Sequence, residues 1–161
     1  MTSAPSPRRN RHSIRLSGYD YAQPGIYFVT ICVHNRCPLL QPLPVKAMIE
    51  RWWAKLPEKF PTVELDAFIV MPNHVHGLLG IINEPAAQER VTLATIVQWF
   101  KTMTTNEYIR AVKGEGWARF DGQLWQRNYW DHIVRNEGDL ARLRDYIENN
   151  PARWIQDSLH I

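Results

Sequence analysis

The sequence predicts an α+β protein with a central antiparallel sheet and helices mainly on one face. Three observations predict this class: segments dominated by β-branched and aromatic residues, segments with apolar residues at helical spacing, and the order in which the two alternate. That order is strand, helix, strand, strand, helix, strand, helix. Adjacent strands joined by short connections favour antiparallel pairing with helices packed against the sheet, which predicts a ferredoxin-like plait.

The first half of the chain is predicted to contain most of the sheet. The segment 26–33 is nearly all β-branched or aromatic, which is typical of a central strand. Prolines at positions 57 and 61 bound the first predicted helix, because proline interrupts helical hydrogen bonding. The predicted elements are strands at 26–33 and 63–70, a helix at 46–56, and, after the turn Met71-Pro72-Asn73, a strand that carries His74 and His76.

The second half is predicted to contain two helices and a shorter strand. Thr92 is a suitable cap for the first of these helices, since a threonine hydroxyl accepts from a backbone N–H of the first turn. Pro151 closes the last helix, because a proline forces the preceding residue out of the helical region. The predicted elements are a helix at 93–112, a short strand or extended segment at 124–130, and a helix that begins at Asn136 or Glu137.

Length and composition indicate one globular domain, at 18–161, behind a basic flexible arm at 1–17. The chain has 161 residues, 45% of them hydrophobic and 22% charged, and no apolar run approaches the ~20 residues that span a bilayer. The arm has no apolar segment typical of a secretory signal, so we expect a cytoplasmic protein. Its arginines suit phosphate binding, although a solvated tail is the simpler interpretation; they are Arg8, Arg9, Arg11 and Arg15.

Seven tryptophans are present, and most of them stand beside basic residues. Aromatic rings interleaved with arginine suit single-stranded nucleic acid, because bases stack on the rings while cations follow the backbone. Each tryptophan taken alone is more often a core residue, or one whose ring is packed while its polar edge reaches solvent. The pattern therefore favours, without requiring, a nucleic-acid partner.

His74 and His76 form a candidate metal site. Residues i and i+2 of a strand point to the same face, so both imidazoles can reach one ion while Val75 faces away. Imidazole is a common metal ligand and also an ordinary polar side chain. The alternative is two hydrogen-bonded histidines on a half-buried sheet.

The last predicted helix can complete this site. Tyr146 and Asn150 are four residues apart and therefore lie on one helix face. Two imidazoles, an amide oxygen and waters suit Mg²⁺ or Mn²⁺ better than a closed zinc site. A divalent ion favours the phenolate of a nearby tyrosine, and a phenolate is a nucleophile. The alternative for Tyr146 is a core residue.

Three blocks of the sequence resemble the REP-associated tyrosine transposases, which are single-tyrosine HUH endonucleases related to the transposases of the smallest bacterial insertion sequences. The resemblance extends from about Ser13 to Trp154, with the blocks in the family's order. The blocks are MPNHVHG at 71–77, WQRNYWDHIVR at 125–135 and DYIENNP at 145–151.

The resemblance implies a specific activity. His74 and His76 match the metal ligands of the family, Asn150 its third ligand, and Tyr146 its nucleophile. Such enzymes use a divalent metal, Mg²⁺ or Mn²⁺, to nick single-stranded DNA near a hairpin, forming a 5′-phosphotyrosine and a free 3′-OH. A second 3′-OH can reverse the step and rejoin strands. Related enzymes act as homodimers that exchange tyrosines, whereas a single chain could use Tyr146 in cis.

Other residues in the middle block are expected to contact the substrate. Arg127 and Arg135 would bind phosphates, and Trp125 would either stack on a base or pack in the core. Tyr129 is the strongest rival to Tyr146 as nucleophile. His132 completes this set. Asn73 is expected to orient either the turn or a ligand imidazole.

Two other functions remain open at this point. The chain could be a catalytically inactive regulator that binds hairpin DNA, or a metal-dependent nuclease that uses water.

Overall fold

The sheet has four antiparallel strands, and the residues that the computed structural model describes are 25–82 and 90–151. The strands are β1 (Gly25–Cys32), β2 (Val63–Met71), β3 (His74–Ile81) and β4 (Trp130–Ile133). Their order across the sheet is β2-β3-β1-β4, with β1 and β3 in the centre. The predicted α+β class and plait-like architecture are confirmed.

Helices cover both faces of the sheet, three on one side and one on the other. They are α1 (Leu43–Ala54), α2 (Leu56–Lys59), α3 (Leu93–Glu115) and α4 (Glu137–Asn149). The main core lies between the sheet and α1 to α3, where Trp53, Phe100 and Tyr108 are buried. On the opposite face α4 buries Leu143 and Ile147 against Leu78 of β3.

The helix boundaries follow local chemistry. Thr92 caps α3, as predicted, by accepting from the Thr95 backbone N–H at 3.2 Å. Asn136 caps α4 by accepting from the Asp139 backbone N–H at 2.8 Å. Prolines also occur at the starts of helices. Pro44 and Pro57 lie in the first turns of α1 and α2, where a backbone N–H would have no partner within the helix and its absence costs nothing.

Of the two alternatives predicted for 124–130, a short strand or an extended segment, the strand is wrong in its position. The fourth strand begins at Trp130, and before it only Trp125 forms an isolated bridge, to Val33. The buried lysine Lys101 holds this segment by donating to the carbonyls of Gln126 and Arg127 at 2.8 and 3.1 Å. The apolar residues of this segment are therefore buried although their backbone is irregular. In the sequence, such a run of apolar residues looks like a strand.

Strand β2 contains a β-bulge. Leu65 pairs with Leu79 and Phe68 pairs with Gly77, so Asp66 and Ala67 together stand opposite the single residue Leu78. A bulge of this kind turns two consecutive side chains toward the same face. Both bulge residues consequently lie on the α4 face of the sheet.

No helix within 25–82 and 90–151 is long and apolar enough to cross a membrane.

Candidate functional site

The two histidines of β3 point to one place on the α4 face of the sheet. β2 and β3 are joined by the two-residue turn Pro72-Asn73, which places His74 at the start of β3. His74 and His76 are 0% and 2% exposed, and their Nε2 atoms lie 3.0 Å apart. The strand geometry predicted from the His-x-His spacing therefore brings two nitrogen donors together in a buried position.

The other ring nitrogens of these histidines have partners of their own. His74 Nδ1 lies 2.7 Å from Asn73 Oδ1, and the Asn73 amide nitrogen donates to the Arg36 carbonyl at 3.2 Å. That second bond orients the amide, so its oxygen faces the imidazole and fixes the proton on His74 Nδ1. His76 Nδ1 lies 2.7 Å from the Thr30 hydroxyl. Partners of this kind leave Nε2 of a histidine available for a metal.

Burial keeps His76 neutral. Burial, and after it the charge that the neighbouring His74 would carry, together lower the pKa of His76 to about 3. Neutral imidazole is the form that binds a metal, because protonation occupies its lone pair.

Helix α4 brings Tyr146 and Asn150 to this face. The ring of Tyr146 lies 5.2 Å from the His76 ring and 6.0 Å from the Phe28 ring, measured between centroids. Asn150 follows one turn later as the C-terminal cap of α4 and is 2% exposed. Its side-chain oxygen is buried without a hydrogen-bond partner in the described part of the chain. Such an atom costs about 1–3 kcal/mol unless a ligand or water satisfies it.

Polar contacts from β2 and from β4 tie α4 to the sheet. The guanidinium of Arg144 forms a salt bridge with Asp66 of the bulge. Its Nε donates to the two carboxylate oxygens at 2.9 and 3.1 Å, and its Nη2 donates to Oδ2. These hydrogen bonds lower the pKa of Asp66 and raise that of Arg144. Near the helix N-terminus, His132 of β4 lies 2.7 Å from Asp139. Hydrogen bonds from His132, and then from Arg142, lower the pKa of Asp139 to about 2.

The structure separates the two tyrosines that the sequence left in competition. Tyr129 is 5% exposed and packs in the main core, with the Lys101 ammonium 5.6 Å from its ring centroid. That core lies on the sheet face opposite His76. Tyr146 is half-buried and contacts the His76 ring.

The residues predicted to contact the substrate divide into four groups. Trp125 is 4% exposed in the main core and donates from Nε1 to Thr104 at 2.9 Å, so stacking on a base does not fit its position and packing does. Arg127 and Arg135 are exposed on either side of β4. His132 contacts α4. The arm residues Arg8, Arg9, Arg11 and Arg15 lie outside the described residues.

Sequence reasoning missed Thr30. It stands directly opposite His76 in the pairing of β1 with β3, and only that register brings it to the imidazole. Within 25–82 and 90–151 no group of three or more His, Cys, Asp or Glu side chains could hold a metal ion. The third donor predicted from the sequence, Asn150, supplies an amide oxygen and is not of these residue types.

The sequence has relatives among known proteins. The family model described as transposase, IS200-like, matches residues 24–150. An uncharacterized protein of Haemophilus influenzae is 34% identical over 94% of this chain and 94% of its own length. A second H. influenzae protein, described as a putative REP-associated tyrosine transposase, is 28% identical over 88% of this chain and 83% of its own.

A solved structure has a similar fold. It is a REP-associated tyrosine transposase bound to a REP hairpin, with a TM-score of 0.61 and 24% sequence identity, covering 86% of this chain and 74% of that one. At this identity the likeness concerns the fold.

Proposed function

The chain belongs to the IS200-like transposase family, and from that premise we propose that it nicks and rejoins single-stranded DNA at hairpin or repeat sequences. Tyr146 is the proposed nucleophile, and the intermediate is a 5′-phosphotyrosine. The observation that carries this proposal is the contact of the Tyr146 ring with His76, whose Nε2 lies 3.0 Å from that of His74. A potential nucleophile and two nitrogen donors are thereby gathered in one place.

We assign the divalent metal to His74, His76 and Asn150. The two Nε2 atoms are available once each Nδ1–H is donated, and the buried Asn150 oxygen lacks a partner among the described residues. Two imidazoles and an amide oxygen, completed by water, would suit Mg²⁺ or Mn²⁺ better than a closed zinc site. Such an ion supplies Lewis-acid polarisation of the scissile phosphate.

The chain's own residues carry out the exchange of bonds. The Tyr146 oxygen forms a bond to phosphorus while the bond from phosphorus to the 3′ oxygen breaks. The phenol proton passes to solvent, and the departing 3′ oxygen takes up a proton to become a hydroxyl. In the reverse step a DNA 3′-OH attacks the phosphotyrosine, and Tyr146 regains its proton. No energy source is required, because one phosphoester replaces another.

A hairpin is the proposed substrate. The solved relative with a similar fold is bound to a REP hairpin. The exposed guanidinium groups of Arg127 and Arg135 would neutralise DNA phosphates. We place the activity in the bacterial cytoplasm, where such DNA lies.

Covalent capture tests the proposal. The purified protein is incubated with Mn²⁺ and fluorescent single-stranded hairpin oligonucleotides and then separated on a denaturing gel. We expect a DNA-bound protein band for wild type and Tyr129→Phe, and none for Tyr146→Phe, which keeps the ring. A band that survives in Tyr146→Phe and vanishes in Tyr129→Phe contradicts the assignment. Cleavage without a band would indicate a water-using nuclease, and binding without cleavage a hairpin-binding regulator.

The metal assignment has its own test. Excess EDTA should abolish the covalent band, and added Mn²⁺ should restore it. Full cleavage in excess EDTA would contradict the metal role. Mixing Tyr146→Phe with His76→Ala then distinguishes a monomer from a homodimer that exchanges tyrosines. Only an enzyme that uses Tyr146 in trans regains activity in the mixture.

A further inference from the structure

Trp130 is an exposed aromatic residue at the edge of the sheet. Its side chain is 57% exposed. Among the described residues two other large hydrophobic side chains are strongly exposed, Leu43 at 78% and Ile82 at 50%, and neither is aromatic. A core role explains Trp53 and Trp125, which are buried in the main core, but does not explain Trp130.

The pairing of the strands places Trp130 in line with the candidate metal site. Trp130 pairs with Thr30, and Thr30 pairs with His76 on its other side. Residues directly opposite each other in antiparallel strands project from the same face of the sheet. Two strand spacings separate the Cα atoms of Trp130 and His76 by about 10 Å. The indole thus lies beside the site, on the face where Tyr146 contacts His76.

This part of the face is open to a ligand. Helix α4 reaches β4 through Asp139 and His132, and from there it crosses to Leu78 of β3. β4 pairs with β1 alone and forms an edge of the sheet. Helix α4 therefore covers β4 at His132 and leaves it exposed at Trp130.

The charge beside Trp130 suits DNA. Arg127 precedes it by three residues and Arg135 follows it by five, and both are exposed. Neither guanidinium has a hydrogen-bond or ion-pair partner among residues 25–82 and 90–151. An aromatic ring with flanking unpaired cations is the combination that binds single-stranded nucleic acid, through base stacking and phosphate contacts.

We propose that Trp130 is a stacking platform for an unpaired DNA base next to the cleaved phosphate. The inference rests on the proposed function and adds a specific contact to it. Stacking would fix the strand laterally, so that the phosphate faces Tyr146 and the histidine pair. Because every base has a π face, Trp130 would stack on any of the four bases and requires only that the base be unpaired.

Binding measurements on the full chain test this contact. Fluorescence anisotropy is measured with a fluorescein-labelled DNA hairpin that carries an unpaired extension, at fixed salt. We expect Trp130→Ala to weaken binding by about 5- to 100-fold, as for the loss of one stacked base, and Trp130→Phe to lose much less. Leu43→Ala removes an exposed apolar side chain on α1 and serves as the matched control, with unchanged affinity.

Abasic scanning of the extension identifies the stacked base. Removal of one particular unpaired base should weaken wild-type binding and leave Trp130→Ala unaffected. The inference is wrong if the losses of binding free energy from base removal and from Trp130→Ala add at every position. It is also wrong if Trp130→Ala binds like wild type. The proposed function stands in both cases. A fall from dimer to monomer in Trp130→Ala, measured by light scattering, would instead assign Trp130 to contact with a second copy. Absence of hairpin binding by wild type would overturn both proposals.

Discussion

The Thr30 hydroxyl lies 2.7 Å from His76 Nδ1, and the two residues are direct partners in the register of β1 and β3. A hydroxyl both donates and accepts, so it satisfies either tautomer of the imidazole. While His76 Nε2–H is donated to His74 Nε2, Thr30 donates to His76 Nδ1. If both Nε2 atoms bound a metal, the His76 proton would lie on Nδ1 and the Thr30 hydroxyl would accept it. The Thr30 hydroxyl would then have a hydrogen bond to His76 with or without a metal.

Loss of this hydroxyl should weaken metal binding. Thr30→Val keeps the shape of the side chain and removes the acceptor for His76 Nδ1–H. We expect a decrease in Mn²⁺ affinity of about 10- to 100-fold, typical for the loss of a residue that orients a ligand. Electron paramagnetic resonance of free Mn²⁺ measures it without DNA. Thr30→Ser, which keeps the hydroxyl, is the control, and equal affinities of Thr30→Val and wild type would refute the role.

Trp125→Phe should reduce stability without affecting DNA binding. The substitution removes the 2.9 Å bond from Trp125 Nε1 to Thr104, whose hydroxyl keeps its bond to the Phe100 carbonyl. We expect a loss of about 1 kcal/mol in the free energy of unfolding in urea, with hairpin affinity unchanged. Trp130→Ala should instead weaken hairpin binding and leave the free energy of unfolding unchanged. Weakened hairpin binding by folded Trp125→Phe would return Trp125 to the DNA surface.

The Asp66–Arg144 pair should stabilise the protein in a pH-dependent way. The pKa of Asp66 is lowered below its ordinary 3.8, so its contribution is present above that pH and is lost as pH falls through the lowered value. We expect Asp66→Asn to lower Tm by no more than a few degrees at pH 7, because both side chains are partly exposed.

The difference in Tm should then close below about pH 4 and shrink with added salt. Arg144→Gln should cause a similar loss, and the double variant little more. A Tm difference that grows on acidification would contradict this account.

Gly77→Ala should destabilise the strand that carries the histidines. A Cβ at Gly77 would lie 2.5 Å from Cζ2 of Trp53, which is stacked on Phe68 with ring centroids 4.4 Å apart. We expect a cost of about 1–3 kcal/mol from overpacking, measured by urea unfolding. Gly80→Ala in the same strand is the matched control, since its Cβ would meet ordinary contacts at 3.9 Å. Equal stability of the two variants would show that Trp53 moves aside freely.

The sequence predicted those features that depend on spacing along the chain. The His-x-His spacing in a strand and the i+4 spacing of Tyr146 and Asn150 in a helix predict which faces carry these side chains. In the structure the two histidine Nε2 atoms lie 3.0 Å apart and the Tyr146 ring contacts His76. The cap residue Thr92 is an equally local signal.

Features that depend on register or on packing were not predictable in this way. Thr30 reaches His76 only because β1 and β3 pair as they do. β4 was misplaced because the buried residues Trp125 and Tyr129 precede it on irregular backbone, while the strand itself includes Asp131 and His132, which do not form an apolar run. The tether from Lys101 that fixes this segment comes from a distant helix.

The bulge in β2 has a consequence for how the protein tolerates changes of length. With Ala67 deleted, Asp66 alone would stand opposite Leu78, and Phe68 would remain opposite Gly77. A deletion elsewhere in the strand would turn the side chains between that point and the bulge to the wrong face. Insertions and deletions of one residue among homologous chains are therefore expected at positions 66–67, where the sheet can lose a residue and keep its two faces.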